Sequence, residues 1–429
     1  MSAIPSGRQL VLGIQMLFVA FGALVLVPLL TGFDPSIALF TAGIGTLLFH
    51  FITGGKVPIF LASSFAFIAP IQFAVKEFGY AATFGALFCT GMVYLIFSLM
   101  AYIGGRKLLD RVLPPIVTGP VIMVIGLKLA PVAVNMARSF DGSGVFNNHA
   151  MIIGASSLLA AVISVMFGKK LFSLIPILCG IVVGYVVSLF MGVVDFTPVK
   201  EAVWFAPPWT AALRNGTFAM PRFDLTAILF MLPVALAPAI EHVGDVLAIS
   251  SVTGKNFIQS PGLHRTLLGD GLATALAGLL GGPPNTTYSE VTGAVALTKS
   301  YNPALMRIAA VAAIVLAFAG KLGAILRTIP SPVMGGIMIL LFGMIAAIGI
   351  NSLVKARVDM SSSRNLVIAS IILTTGIGNL SISWGSFTLG GIGFAGVVGV
   401  LLNLVLPGKT EAHATQPLIE PETKEPKDL

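Results

Sequence analysis

Carboxylates stand inside otherwise apolar stretches of this sequence. Glu241 and Asp245 lie in IEHVGDVLAIS with His242 between them, Asp270 in LLGDGLATALAG, and Glu290 in NTTYSEVTGAVALTK. An ionisable group within an apolar run is costly to bury and is by default functional. Glu241 and Asp245 are four residues apart and share one helix face, whereas His242 points elsewhere. Asp245 is also compatible with a place at a membrane interface, where charge is cheap. Asp270 reads as a packing or capping residue. Lys128, in VIMVIGLKLAPVAVN, reads equally as a gate or counter-ion residue and as a side chain snorkelling from a helix flank. The histidines and cysteines show no metal-ligand spacing, so no metal site is expected.

The elements that must position these groups are unusual at two places. The stretches VPIFLASSFAF (from Val57) and NTTYSEVTG (from Asn285) each begin extended or polar and continue into a helix too short to cross a bilayer. The half-helices would start at Ser64-Phe65-Ala66 and at Tyr288-Ser289-Glu290. A helix start offers unpaired N–H donors and a partial positive charge, while Glu241 and Glu290 offer acceptors. A small ring bearing both N–H donors and C=O acceptors, such as a neutral nucleobase, fits that set. Phe65, Phe67, Tyr288 and Phe342 are candidate aromatic walls. A simple anion suits the helix starts but is repelled by the carboxylates.

Composition sets the context. Of the 429 residues, 56% are hydrophobic and 10% charged, with a net charge of +8 and a mean hydropathy of +0.97. A soluble protein is about a quarter charged, so an all-α polytopic membrane protein is expected. Candidate spans fall near 9–31, 36–53, 58–76, 81–103, 112–135, 149–167, 172–194, 224–248, 266–281, 285–299, 304–322, 332–352, 364–379 and 383–405, about fourteen in all. The broken spans are then third and tenth, at matching positions of two inverted repeats of about seven spans each, which is where transporters build their sites. Basic residues including Lys56, Lys169, Lys255, Arg265, Lys355 and Arg364 favour loops on the N-terminal side of the membrane. Both termini, residues 1–8 and the polar Pro-containing tail 406–429, are therefore expected to be cytoplasmic and the tail disordered. Cys89 and Cys179 sit in apolar runs and read as unbridged. No ATP-binding motif or catalytic signature is evident, so neither an ATP-driven pump nor an enzyme is indicated.

Over about 8–405 the chain resembles the nucleobase–ascorbate transporter (nucleobase:cation symporter-2) family, and its uracil permease-like branch. The resemblance rests on FGALVLVPLL, GIGTLLFHFITGGKVPIFLASSFAFIAP, AIEHVG, PGLHRTLLGDG, GGPPNTTYSEVTGAVALTK and IPSPVMGGIMILLFG. It implies fourteen spans in two inverted repeats, short strands in spans 3 and 10, a core domain (about 9–103 and 224–322) and a gate domain (about 112–194 and 332–405). It also implies uracil uptake across the inner membrane, coupled to protons or, in some branches of the family, to sodium, with no cofactor and no nucleic-acid partner, often in a homodimer. Residue by residue, Glu241 and Glu290 match carboxylates that hold the base. Phe65 and Ser289 match backbone N–H donors, and Ala23, Tyr288 and Phe342 match pocket-lining positions. Glu241, Asp245 and Glu290 would couple the proton. Glu290 leans toward uracil; Asp245, as in some purine transporters, leans toward xanthine or uric acid. Val291 stands where the family pattern has Asn, and Met16 where a His follows Gln15.

Overall fold

The computed structural model describes residues 7–169, 172, 175–384 and 387–407; the tail expected from 406 lies almost wholly outside the described residues. Helices α1 (Gly7–Thr31) and α2 (Pro35–Ile52) meet at a corner organised by Asp34. Its Oδ1 accepts the Ser36 N–H at 2.8 Å and caps α2, while Pro35 supplies the first helical residue.

The chain then becomes extended. β1 (Leu61–Ser63) leads through a 3-10 turn at Phe65–Phe67 into α3 (Ile68–Val112). α3 is not one rod. Gly79 (φ 77°) and Gly105 (φ 59°) leave the helical region, conformations that glycine adopts without a Cβ penalty. Residues 68–78 thus form a half-span of about 16 Å, and 80–104 a full one. The third and fourth expected spans fall on these pieces.

α4 (Pro115–Arg138), α5 (Asn148–Phe167) and α6 (Pro176–Phe190) follow. The short α7 (Thr197–Glu201) and α8 (Thr210–Arg214) come next. α9 (Leu225–Met231) continues through a 3-10 turn at Leu232–Ala235 into α10 (Leu236–Thr253), which ends at Gly254 in the left-handed region. α11 (Leu263–Leu279) leads to β2 (Asn285–Thr287) and the half-helix α12 (Ser289–Thr298). α13 (Ala304–Ala317), α14 (Gly320–Arg327), α15 (Ser331–Lys355) and α16 (Ser363–Ile377) precede β3 (Ser381–Trp384), β4 (Phe387–Gly390) and α17 (Gly391–Val405).

Among the described residues, seven helical stretches are long and apolar enough to cross a membrane, and α6, α13, α16 and α17 are shorter apolar helices. The expected last span, 383–405, is corrected: its first part is the antiparallel β3–β4 hairpin, register Ser381↔Gly390 to Trp384↔Phe387, and only Gly391–Val405 is helical. Alternating Ile, Trp, Phe and Thr favour extended backbone over helix there.

The two interrupted spans meet. β1 pairs antiparallel with β2, Leu61↔Thr287 through Ser63↔Asn285, and every residue of both strands is buried. Around them α3 packs on α11, and α2 on α13 and α11. Elsewhere α4 packs on α15, α5 on α6, and α16 on α17. The α3–α11 contact is backbone-close: a Cβ on Gly91 would overlap the Ala275 backbone, and one on Gly271 would overlap Tyr94. Such approach is what small residues permit between membrane helices.

Candidate functional site

Two three-residue strands deep inside a helical protein must satisfy their outer backbone groups through side chains. Thr46 of α2 does this for β1, its Oγ1 accepting the Leu61 N–H at 2.9 Å. His50 Nε2 donates to the Ile59 carbonyl at 3.0 Å. For β2, Thr274 Oγ1 donates to the Asn285 carbonyl at 2.5 Å, and Asn285 Nδ2 donates to the Thr41 carbonyl at 3.0 Å. The Ser64 N–H donates to the Pro284 carbonyl at 2.9 Å, extending the pairing by one rung. The strand crossing is thereby fixed to α2 and α11, and it aims the starts of the two half-helices at one region.

The predicted residues gather there. Phe65 opens the 3-10 turn and Tyr288 is the N-cap of α12; their ring centroids lie 6.3 Å apart. Phe65, Ser289 and Glu290 occupy first-turn positions, whose N–H groups lack intrahelical partners. Glu241, half-buried on α10, lies within electrostatic reach of Asp245, Glu290 and Asp270. Tyr288 is buried within reach of Glu290 and Glu241, and its hydroxyl has no hydrogen-bond partner among the described residues. A buried polar atom without a partner is destabilising, and this one sits beside the proposed pocket.

Asp245 is buried within the protein, with 4% of its surface exposed. Thr287 Oγ1 donates to its Oδ2 at 2.7 Å and Ser289 Oγ to its Oδ1. Both carboxylate oxygens are therefore held by hydroxyls from the β2–α12 junction. Asp245 ties α10 to the broken span instead of standing free toward a ligand.

The other predicted residues are distributed more widely. Ala23 is fully buried on α1, which packs against both β1 and α12. Phe342 is buried on α15, where its backbone faces Gly126 of α4. It shares the large apolar core with Phe65 and Tyr288. Phe67 is corrected as a pocket wall: it packs with Phe33, Ile71 and Phe84 in a separate cluster, because successive residues of the tight turn project in different directions. Lys128 Nζ donates to Asn379 Oδ1 at 2.8 Å, just past the end of α16, and so is engaged by an amide.

Sequence reasoning missed a second polar cluster behind β2. Thr286 and Thr287 are consecutive in a strand and so face opposite sides. Thr287 serves Asp245, whereas Thr286 Oγ1 donates to Asp270 Oδ2 at 3.3 Å. Asp270 Oδ1 is 3.6 Å from His242 Nδ1, and both side chains are fully buried. That separation is too long for a hydrogen bond. His242 also meets the Phe49 ring edge-on, centroids 6.4 Å apart. The signals were His242 and Asp270 themselves, each within an apolar run, and the consecutive threonines of NTT, but nothing in their spacing joined them.

The faces of α10 and α12 that carry the glutamates stay open. Gly244 and Gly293, each three residues beyond its glutamate, are exposed, and a Cβ at either would meet no atom within 4 Å.

A sequence model of the permease family (Xan_ur_permease) matches residues 7–383. The chain is 54% identical over 400 residues to a probable uracil permease of Haemophilus influenzae, covering 93% of this chain and 94% of that one. It is 45% identical over 408 residues to the uracil permease of Bacillus caldolyticus (95% and 94% covered). It is 39% identical over 402 residues to that of Escherichia coli K12 (94% and 92%). Among solved structures, the transmembrane domain of the cyanobacterial bicarbonate transporter BicA aligns with TM-score 0.61 at 15% identity, covering 93% of this chain and 97% of that one. The murine Solute Carrier 26 family member A9 anion transporter, in its inward-facing state, gives 0.63 at 14%, covering 94% and 69%. At those identities the likeness bears on the fold alone. With a family match over most of its length and long-range identity to named permeases, the chain belongs to the nucleobase–ascorbate transporter (nucleobase:cation symporter-2) family of membrane permeases.

Proposed function

We propose that the protein is a uracil:proton symporter of the inner membrane that works by alternating access. Its uracil permease relatives at 39–54% identity support the substrate. The observation that carries the reading is the convergence of Glu241, Asp245 and Glu290 beside two half-helix starts. Glu241 accepts one N–H of the base and Glu290 a second. The first-turn N–H groups at Phe65 and Ser289 donate to the base carbonyls. Tyr288, Ala23 and Phe342 close the pocket. Mutual repulsion among clustered carboxylates is relieved when one binds a proton, so proton and substrate occupancy are linked through Glu241. Asp245, held by Thr287 and Ser289, transmits that change to the β2–α12 junction.

The same reading assigns 9–103 with 224–322 to a core domain and 112–194 with 332–405 to a gate domain, moving relative to each other around the site. The preferential packing of α3 on α11 and of α4 on α15 supports that division. Both termini are cytoplasmic in this reading and the working unit is a homodimer. The test uses the purified chain in liposomes with an imposed inward proton gradient. Wild type accumulates radiolabelled uracil and Glu241→Gln does not. Gradient-driven accumulation by Glu241→Gln equal to wild type would refute the assignment of coupling to Glu241.

A further inference from the structure

A groove of about 640 Å³ runs along the outer side of α5 and α6. Leu159, Ile163 and Phe167 of α5 and Cys179 and Val183 of α6 form its apolar walls, and Lys169 stands at its end. α5 has 20 residues, about 30 Å, and matches the hydrocarbon thickness, whereas α6 has 15, about 22 Å. The shortfall opens the space next to Lys169. The two serines of the lining spend their hydroxyls on backbone: Ser164 donates to the Phe172 carbonyl at 2.5 Å and Ser156 to the Ile153 carbonyl at 2.7 Å.

We propose that this groove is a binding site for an anionic phospholipid, with an acyl chain between α5 and α6 and the phosphate at Lys169. The occupant follows from chemistry and place. An apolar cleft ending in an exposed ammonium is complementary to a chain ending in a phosphate. Lys169 also belongs to the basic set that the positive-inside rule assigns to the cytoplasmic face, where basic pockets between membrane helices collect anionic headgroups. A neighbouring apolar helix would fill the walls equally well but brings no full negative charge, such as a phosphate, to the terminal cation.

Cys179 supplies a local readout. It is unbridged and half-buried in the wall, and Cys89, on α3, can be replaced by Ala to leave one thiol. In detergent, phosphatidylglycerol added to the full-length Cys89→Ala chain is expected to slow Cys179 labelling by N-ethylmaleimide. Phosphatidylethanolamine with the same chains should protect about five-fold more weakly, as expected for one lysine beside an anionic group. Lys169→Gln, an exposed substitution, should erase the difference between the two lipids and leave their apolar protection. Val183→Trp, which fills the groove, should abolish protection by both while size-exclusion elution stays unchanged. Equal protection by both lipids in the Lys169 parent, or an undiminished preference in Lys169→Gln, would overturn the proposal. A change of oligomeric state in Val183→Trp would identify a second copy of the chain as the occupant and overturn it too.

Discussion

The carboxylates of this protein differ in what surrounds them, and their expected roles follow. Asp245 has two hydroxyl donors on its two oxygens. Hydrogen bonds to charged groups are worth about 1.5–3 kcal/mol, so Thr287→Val should weaken uracil binding by roughly that range through the β2–α12 junction. Titration of the purified variant by scintillation proximity would read it, and wild-type affinity in Thr287→Val would show that the Asp245 tie is dispensable. Asp34 presents a different case. Its carboxylate is nearly buried, caps α2, and pairs with Arg327 Nη1 of α14 at 2.8 Å. Losing a cap costs about 1 kcal/mol and leaving a buried partner unpaired costs more. Because Arg327 is partly exposed, the sum for Asp34→Ala should be about 2 kcal/mol. A lowered thermal midpoint in detergent, with uracil affinity retained, is the expected outcome.

At the level of elements, the strand crossing and the α3–α11 contact divide the labour between aiming the site and holding it. Gly271→Leu would drive a side chain into Tyr94, and overpacking of this kind costs about 1–3 kcal/mol or more. Poor recovery of monodisperse protein is expected. Gly244→Cys, by contrast, points into open space and should fold, react with an aqueous maleimide, and be shielded by uracil. Labelling that uracil leaves unchanged would separate the open face of α10 from the permeation path. Both broken spans were legible in the sequence because Pro58 with Ser63-Ser64, and Asn285 with its threonines, interrupt apolar runs in a way that a simple span does not. The β3–β4 hairpin was not, since SISW and FTLG are as hydrophobic as a helix end and are told apart only by alternation over four residues. The partners of Asp245 and Asp270 were also hidden. Which face of a three-residue strand each threonine takes depends on the pairing with β1, a contact between residues more than two hundred positions apart.

For the whole molecule, the proposed site draws on both halves of the chain. β1 and its following half-helix come from the first half of the chain; α10, β2 and α12 come from the second. A ligand bound between them therefore feels both halves, as a carrier that rocks one bundle against another requires. The residues of the proposed site, Glu241, Asp245, Glu290, Phe65 and Tyr288, all come from one chain. The short helices α7 and α14 pack together, and there Lys321 Nζ donates to the Val199 carbonyl and lies 6.0 Å from the Trp204 ring. Amphipathic aromatics with a cation suit the headgroup layer. The most direct test of uracil:proton symport is uptake of radiolabelled uracil by cells lacking their own nucleobase permeases. Unlabelled thymine, xanthine, uric acid and hypoxanthine serve as competitors, with and without a protonophore. Uracil entry that only pyrimidines inhibit and that the protonophore abolishes is the predicted result. Failure of uracil to enter while labelled xanthine does, or uptake indifferent to the protonophore, would contradict it.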